Sequence, residues 1–269
     1  AQTLYSVAVA AGTNQIDFLA TKVTLLHAGG IKSNTGGTWW FFDKPTMYLL
    51  PGAYNFYFEN ATGGWDGPVA IDVKGCELTG GILTLVDEVG KPLANYPADY
   101  PTEQRNLKYK YRYGGSWAPE VSFKTDANGR WFYTIAPEHL ASWDKKITVT
   151  LNQTAKEQDV TLNPVFQAAK VNVSLKSCSG PLTQTPGGVV AQGGGYWYEH
   201  GTTGPSGTCS FYAFPGSVKV RMTYNHHAQT LDSCLVAAGT HQIHFLATTL
   251  PLLPPAHINA HTAAPWMSL

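Results

Sequence analysis

The sequence predicts an all-β fold of small antiparallel β-sandwiches arranged in tandem. Three observations support this prediction. The 269 residues contain 12% aromatic side chains, 27 Gly and 17 Pro, a composition typical of strands joined by tight turns. Short stretches alternate between apolar and polar residues, and no long amphipathic helix pattern occurs. The chain also repeats itself, which indicates several copies of one small unit.

The clearest repetition joins the two ends of the sequence. Residues 1–25 and 228–252 align without a gap and are identical at 17 of 25 positions. Weaker copies of the strand-like stretch that starts at Phe18 begin near Ile82 and at Phe166. Repetition at intervals of this size is the signature of an array of similar structural units.

Each copy continues with a Gly turn, an aromatic strand, a Pro corner and a strand that alternates with a period of two. Such alternation buries one face of a strand and leaves the other in water. The alternating apolar residues are Tyr54, Phe56 and Phe58 in the first copy, Ile147, Val149 and Leu151 in the second, and Val218, Val220 and Met222 in the third.

The spacing of these copies predicts three sandwiches, which we call repeat one (14–80), repeat two (81–165) and repeat three (166–240). Residues 1–13 are then a strand in phase with a preceding unit. Residues 241–269 are the start of a further unit followed by a Pro-rich tail. Six or seven short strands in each repeat, with turns every 8–12 residues, are typical of a small antiparallel sandwich.

The motifs resemble a known architecture. The chain has a V-x-V-x-L strand at 171–175, a G-x-P-L turn at 90–93, a T-D-A-x-G turn at 125–129 and a P-G corner at 215–216. This succession resembles the tandem prealbumin-like (Ig-like) β-sandwich repeats of large bacterial surface and extracellular proteins, to which Cna-B-type adhesin modules are related. The resemblance implies a secreted protein of the cell surface or matrix with a spacer, adhesive or filament role, and it does not imply a catalytic centre.

The end segments suggest how such a protein acts. Residues 1–9 match 228–236 and residues 241–252 match 14–25, so both end segments are out of phase with the repeats. Unpaired strands are templates for another chain, and a head-to-tail contact that does not close forms a filament. We therefore expect a structural protein whose partner is itself, assembled by β-strand exchange into a filament or surface matrix. Two alternatives remain: a piece of a longer array, and a carbohydrate-binding or adhesin module with the repeats as spacers.

Composition and motifs argue against several other classes. Lys plus Arg and Asp plus Glu both number 18, so no basic excess favours nucleic acid as a partner. No run of 18 apolar residues predicts a membrane span. No catalytic, cofactor-binding or metal-binding constellation is recognisable, because the late histidines, such as His241 and His244, face opposite sides of a strand. We expect neither an enzyme nor a cofactor.

Three sets of residues are candidates for other roles. An even number of cysteines favours disulfides in an exported chain, with three connectivities open; they are Cys76, Cys178, Cys209 and Cys234. The sequons for N-linked glycans, which would add solubility to a chain with only 13% charged residues, are Asn60, Asn152 and Asn172. The aromatic residues on which sugar rings would stack, unless they pack in the core, are Trp39, Trp117 and Trp197.

Overall fold

The computed structural model describes residues 19–27, 29–35, 37–60, 62–98, 107–152, 154–160, 163–182, 187–193, 196–248, 259–260 and 267–268. In this part of the chain, strands dominate and one 3-10 helix (Pro137–Ser142) follows a predicted Pro corner. The predicted all-β class is therefore confirmed. The chain forms two compact units: the described residues up to Thr150 with 155–167, and residues 151–154 with the described residues from Ala168 onward. The predicted strand at 1–13 lies outside the described residues.

Repeat one is a sandwich of two sheets. Its strands are β1 (Thr21–Leu25), β2 (Ile31–Thr35), β3 (Thr38–Phe42), β4 (Thr46–Leu49), β5 (Gly52–Glu59), β6 (Trp65–Val73) and the start of β7 (Glu77–Val86). In one sheet β1 lies between β4, antiparallel, and β7, parallel. The other sheet is antiparallel with the order β3-β2-β5-β6. Phe56 and Phe58 are fully buried between the sheets, as period-two alternation requires.

Repeat two uses the rest of β7. Its other strands are β8 (Leu107–Tyr113), β9 (Ser116–Trp117), β10 (Val121–Ser122), β11 (Arg130–Ile135), β12 (Trp143–Leu151), β13 (Thr154–Asp159) and β14 (Val165–Gln167). Strand β7 pairs with β11 in antiparallel and with β14 in parallel orientation. The second sheet has the order β10-β8-β12-β13, with β9 also on β8. The predicted core residues Ile147 and Val149 are fully buried.

Repeat three has the same plan. Its strands are β15 (Ala169–Ser177), β16 (Gly180–Pro181), β17 (Gly188–Gly193), β18 (Tyr196–Thr202), β19 (Thr208–Ala213), β20 (Gly216–Tyr224), β21 (His227–Val236) and β22 (Thr240–Leu246). Strand β15 lies between β19 and β22 and also pairs with β16, while the facing sheet has the order β18-β17-β20-β21. Val218, Val220 and Met222 are buried. Two short strands, β23 (Asn259–Ala260) and β24 (Met267–Ser268), pair with each other.

Strand β22 differs from the sequence-based expectation. The spacing of the repeats assigns residues from 241 onward to a further unit, whereas β22 pairs in parallel with β15, from Lys170 opposite Thr240 to Lys176 opposite Leu246. The same relation joins β1 to β7, with Lys22 opposite Glu77. A strand's own alternation does not reveal which strand it pairs with, so this placement depends on the tertiary structure.

Strand β7 belongs to two sandwiches in succession. Residues 77–80 pair with β1, residues 79–84 with β11 and residues 84–86 with β14. At the crossing point lie Gly80 and Gly81, against the backbone and ring of Tyr133 on β11. Because a side chain at either glycine would overlap Tyr133, the change of sheet partner requires glycine here.

Candidate functional site

An exposed group of aromatic side chains surrounds a lysine on one sheet of repeat one. We call Lys32, Trp39, Phe41, Tyr57 and Trp65 the aromatic face. Lys32 on β2 lies opposite Phe41 on β3 and Tyr57 on β5. Trp39 is two residues from Phe41, so both side chains point to the same side of β3. Local alternation and strand pairing therefore bring these residues together.

The ammonium group of Lys32 lies among the rings of the aromatic face. Its Nζ is 4.1 Å from the ring centroid of Trp65 and 4.5 Å from that of Trp39. Phe41 and Tyr57 complete the group, each with its centroid 5.8 Å from the same nitrogen. These distances lie in the range of cation–π attraction. Among the described residues no carboxylate forms an ion pair with Lys32.

The rings also contact one another. Trp39 meets Tyr57 edge-to-face with centroids 4.9 Å apart, and Phe41 meets Trp65 in the same way at 6.1 Å. Such pairs are favourable geometries that hold the rings in place. Trp39 and Phe41 nevertheless keep 45% and 65% of their surface exposed. The face is thus ordered by its own contacts and open to solvent.

The other two candidate tryptophans have a similar arrangement with one difference. Lys110 and Arg112 lie 5.3 and 5.9 Å from the ring of Trp117, and Arg221 and Lys219 lie 4.3 and 5.8 Å from the ring of Trp197. Three of these four cations have carboxylate partners; the pairs are Lys110–Glu120, Arg112–Asp144 and Lys219–Asp232. Lys32 therefore stands out by having four rings and no acidic partner.

The disulfides favoured by the sequence are not formed. All four cysteines are free, with Cys76 and Cys178 exposed, Cys209 buried and Cys234 partly buried. Cys209 donates a hydrogen bond from Sγ to the carbonyl of His200, 3.2 Å away. Burial raises the pKa of the thiols of Cys209 and Cys234. An even count of cysteines did not predict their placement.

The three sequon asparagines occupy different environments. Asn60 closes a turn, because its Oδ1 accepts hydrogen bonds from the backbone N–H of Thr62 and of Gly64. Asn152 is only 4% exposed, and its amide nitrogen donates to the carbonyl of Tyr212. Asn172 lies on β15 and accepts a hydrogen bond from the hydroxyl of Ser210. The amide nitrogen of Asn60 donates a hydrogen bond to the carboxylate of Asp66, 3.3 Å away.

Metal ligands, a membrane-spanning helix and a ligand groove are other features that a functional site in the described residues could involve. No three His, Cys, Asp or Glu side chains converge there as metal ligands would, and no helix there is long and apolar enough to span a membrane. A groove of about 1000 Å³ lies between β6 and β11 and is lined mainly by apolar side chains, including Ile71, Tyr109 and Phe132. Several of its charged lining residues are already paired, as Lys74 is with Asp72, Glu77 with Lys22 and Arg130 with Asp66.

Strands β21 and β22, which pair with β20 and β15 respectively, define a second feature, a place for two strands at the end of repeat three. The residues of these strands that face the core are Leu231, Cys234, Val236, Ile243 and Phe245. In the matching segment of residues 1–18 the same positions hold Leu4, Val7, Val9, Ile16 and Phe18. All five remain apolar. The turn between the strands contains Gly239 with φ +91°, and its counterpart is Gly12.

Comparisons with known proteins identify similar folds at low identity. No protein-family model matches the chain, and no curated protein matches it by sequence. Its structure is similar to that of the Bacillus anthracis TIE protein, with 12% identity and a TM-score of 0.23 over 85% of this chain and 50% of that one. It thus spans half the length of that protein.

Two pilins are also similar. For the shaft pilin SpaA of Lactobacillus rhamnosus GG, identity is 8% and the TM-score 0.25, over 66% of this chain and all of that one. For BcpA, the major pilin subunit of Bacillus cereus, identity is 10% and the TM-score 0.22, over 85% of this chain and 98% of that one.

Proposed function

We propose that this chain is an extracellular structural protein built from tandem sandwiches, and that copies join end to end by exchange of β-strands. The observation that carries the proposal is the match between residues 1–18 and residues 228–245. The second of these segments forms β21 and the buried part of β22, which complete the sandwich of repeat three. Residues 1–18 have what is needed to occupy the same place in another copy.

The apolar pattern supports exchange in particular. Strand β21 pairs with β20, and β22 pairs with β15. An incoming segment must therefore present core residues to both sheets in the same register. Residues 1–18 do so at all five core positions and keep the turn glycine, and a one-residue slip would turn every side chain to the wrong face. Because the two segments compete for one place, residues 1–18 of one copy link it to another by displacing residues 228–245 of that copy.

The shared strand β7 supports a structural role. Since β7 pairs with strands of repeat one and of repeat two, no separate linker lies between these sandwiches. Strands that run from one sandwich into the next transmit tension through backbone hydrogen bonds rather than through a flexible connection. A spacer or filament needs this property, and an enzyme does not.

Electron microscopy of the full chain tests the proposal. We expect filaments from the native protein, and their loss in Ile16→Asp, because the equivalent Ile243 is buried in the core and a buried unpaired carboxylate is unfavourable. The matched control is Gln15→Asp, because its equivalent Gln242 is exposed; this variant should form filaments. A native protein that stays monomeric at high concentration, or filaments unaffected by Ile16→Asp, would contradict strand exchange.

A further inference from the structure

We propose that the aromatic face of repeat one binds an acidic polysaccharide through a uronate sugar, with Lys32 as the residue that holds the carboxylate. The proposal rests on four rings around one lysine, on the absence of an acidic partner for that lysine among the described residues, and on a pair of amide side chains beside it. It does not depend on strand exchange.

The charge of Lys32 is held in place but not neutralised. Its Nζ lies over the rings of Trp39 and Trp65, and both contacts restrict a side chain that otherwise moves freely. Glu59 is the nearby acid on β5, but its Oε2 accepts a hydrogen bond from the backbone N–H of Gly30. A positioned ammonium group without a counter-ion is suited to a charge-assisted hydrogen bond with a carboxylate.

The neighbouring row of side chains supplies groups for hydroxyls. Asn34 lies opposite Trp39 on one side and Asn55 on the other. Because Asn34 follows Lys32 by two residues, its side chain points to the same face. Neither amide side chain has a hydrogen-bond partner among the described residues. Each amide offers two donors and one acceptor, which matches the hydroxyl groups of a sugar.

The combination favours a saccharide over a protein partner. Flat rings accept the apolar C–H face of a sugar, amides bind its hydroxyls, and the ammonium group binds its carboxylate. With neighbouring strands spaced about 4.8 Å apart, the four strands present these groups side by side over more than one sugar ring. A stable protein interface instead buries about 800 Å² of total accessible surface on each partner.

Lys32 differs from the cations beside the other two candidate tryptophans in a way that predicts where binding occurs. Arg221, which also forms no ion pair among the described residues, lies over one ring, that of Trp197, rather than four. Next to Trp117, the cations Lys110 and Arg112 already pair with acidic residues, so an incoming carboxylate must displace an internal one. At Lys32 no such competition exists. We therefore expect the Lys32 site to account for most of the affinity.

Calorimetric titration with an alginate oligosaccharide tests the assignment, with carboxyl-reduced alginate and dextran sulfate as comparison probes. We expect saturable binding of alginate. The affinity for the reduced form should be weaker by about tenfold or more, because one charged hydrogen bond is lost. Lys32→Gln should weaken alginate binding by a similar factor, and Lys32→Arg should restore most of it. Affinity should also fall with added salt.

Two neighbouring tryptophans provide a matched pair of variants. Trp39→Ala should weaken alginate binding about tenfold, whereas Trp40→Ala should leave it unchanged, because Trp40 points away from the aromatic face. Trp40 is 59% exposed and lies on the same strand, so both variants should fold. The proposal is wrong if alginate does not bind, if dextran sulfate binds equally well, or if Lys32→Gln binds as the native chain does. Ile16→Asp should retain alginate binding, which separates this result from the failure of assembly.

Discussion

Gly81 lies so close to Tyr133 that a Cβ atom at this glycine would stand 2.6 Å from the tyrosine hydroxyl oxygen. Tyr133 is fully buried, and burial raises the pKa of its phenol. The contact marks the point at which β7 passes from the sandwich of repeat one to that of repeat two. The absence of a side chain at Gly81 is what allows β11 to pair with β7 there.

We predict that Gly81→Val destabilises the chain by about 1–3 kcal/mol, the usual cost of overpacking a core. Urea denaturation followed by tryptophan fluorescence measures this loss. The matched control is Gly204→Ala, since no atom lies within 4 Å of the added methyl group and φ there is not positive. Unchanged stability of Gly81→Val would show that β7 and β11 separate easily at the crossing.

The hydroxyl of Thr125 ties the turn after β7 to the core of repeat two. It donates a hydrogen bond to the carbonyl of Leu93 and accepts one from the N–H of Tyr96. Because Thr125 is buried, Thr125→Val should cost about 1–3 kcal/mol by leaving polar groups without these partners. The free energy of unfolding from urea titration is the measurement. Thr46→Val, which removes an exposed hydroxyl pair with Thr24, should change it little.

Acid should destabilise repeat three through His200. This ring stacks on Phe211 with centroids 4.4 Å apart, and burial lowers the pKa of His200 to about 4. The unfolded chain, with a histidine pKa near 6.5, binds a proton more readily than the folded one. The stability that neutral His200 contributes to the folded chain is therefore fully present above about pH 6.5. It falls as pH drops towards 4, by on the order of 3 kcal/mol.

Unfolding of the full chain in urea between pH 4 and pH 7 measures this dependence. His200→Phe should flatten it, whereas His227→Gln, a change at an exposed position of β21, should not. An equal slope in the native chain and His200→Phe would show that other groups cause the acid sensitivity.

Thiol labelling should separate the cysteines by burial. Cys76 and Cys178 are exposed and should react rapidly with iodoacetamide at neutral pH. Cys209 should react slowly, because it is buried and burial raises its thiol pKa. Peptide mass spectrometry after timed labelling distinguishes the four sites. Rapid labelling of Cys209 before unfolding, or a gain of free thiols on reduction, would contradict the structure.

Much of the fold could be predicted from local patterns. Alternation at Phe56 and Phe58, and again at Ile147 and Val149, identified the faces that are buried, because burial follows the period of a strand. The tryptophans were recognised as candidates for stacking, but the lysine among them was not. No pattern within β2 indicates that the Lys32 ammonium group will lie over the ring of Trp65. The two residues are on β2 and β6, and they come together only because both strands pair with β5.

The amino-acid order is sufficient to establish the all-β class, the repetition and the apolar faces, because all three follow from residue type and short spacing. The partner of β22, the crossing at Gly81 and the ring cluster around Lys32 were decided only when the chain folded. Each depends on contacts between residues that are distant in sequence. The cysteines are free for the same reason. The sequence shows that there are four of them, but the distance between two thiols, which decides whether a disulfide forms, is a property of the tertiary structure.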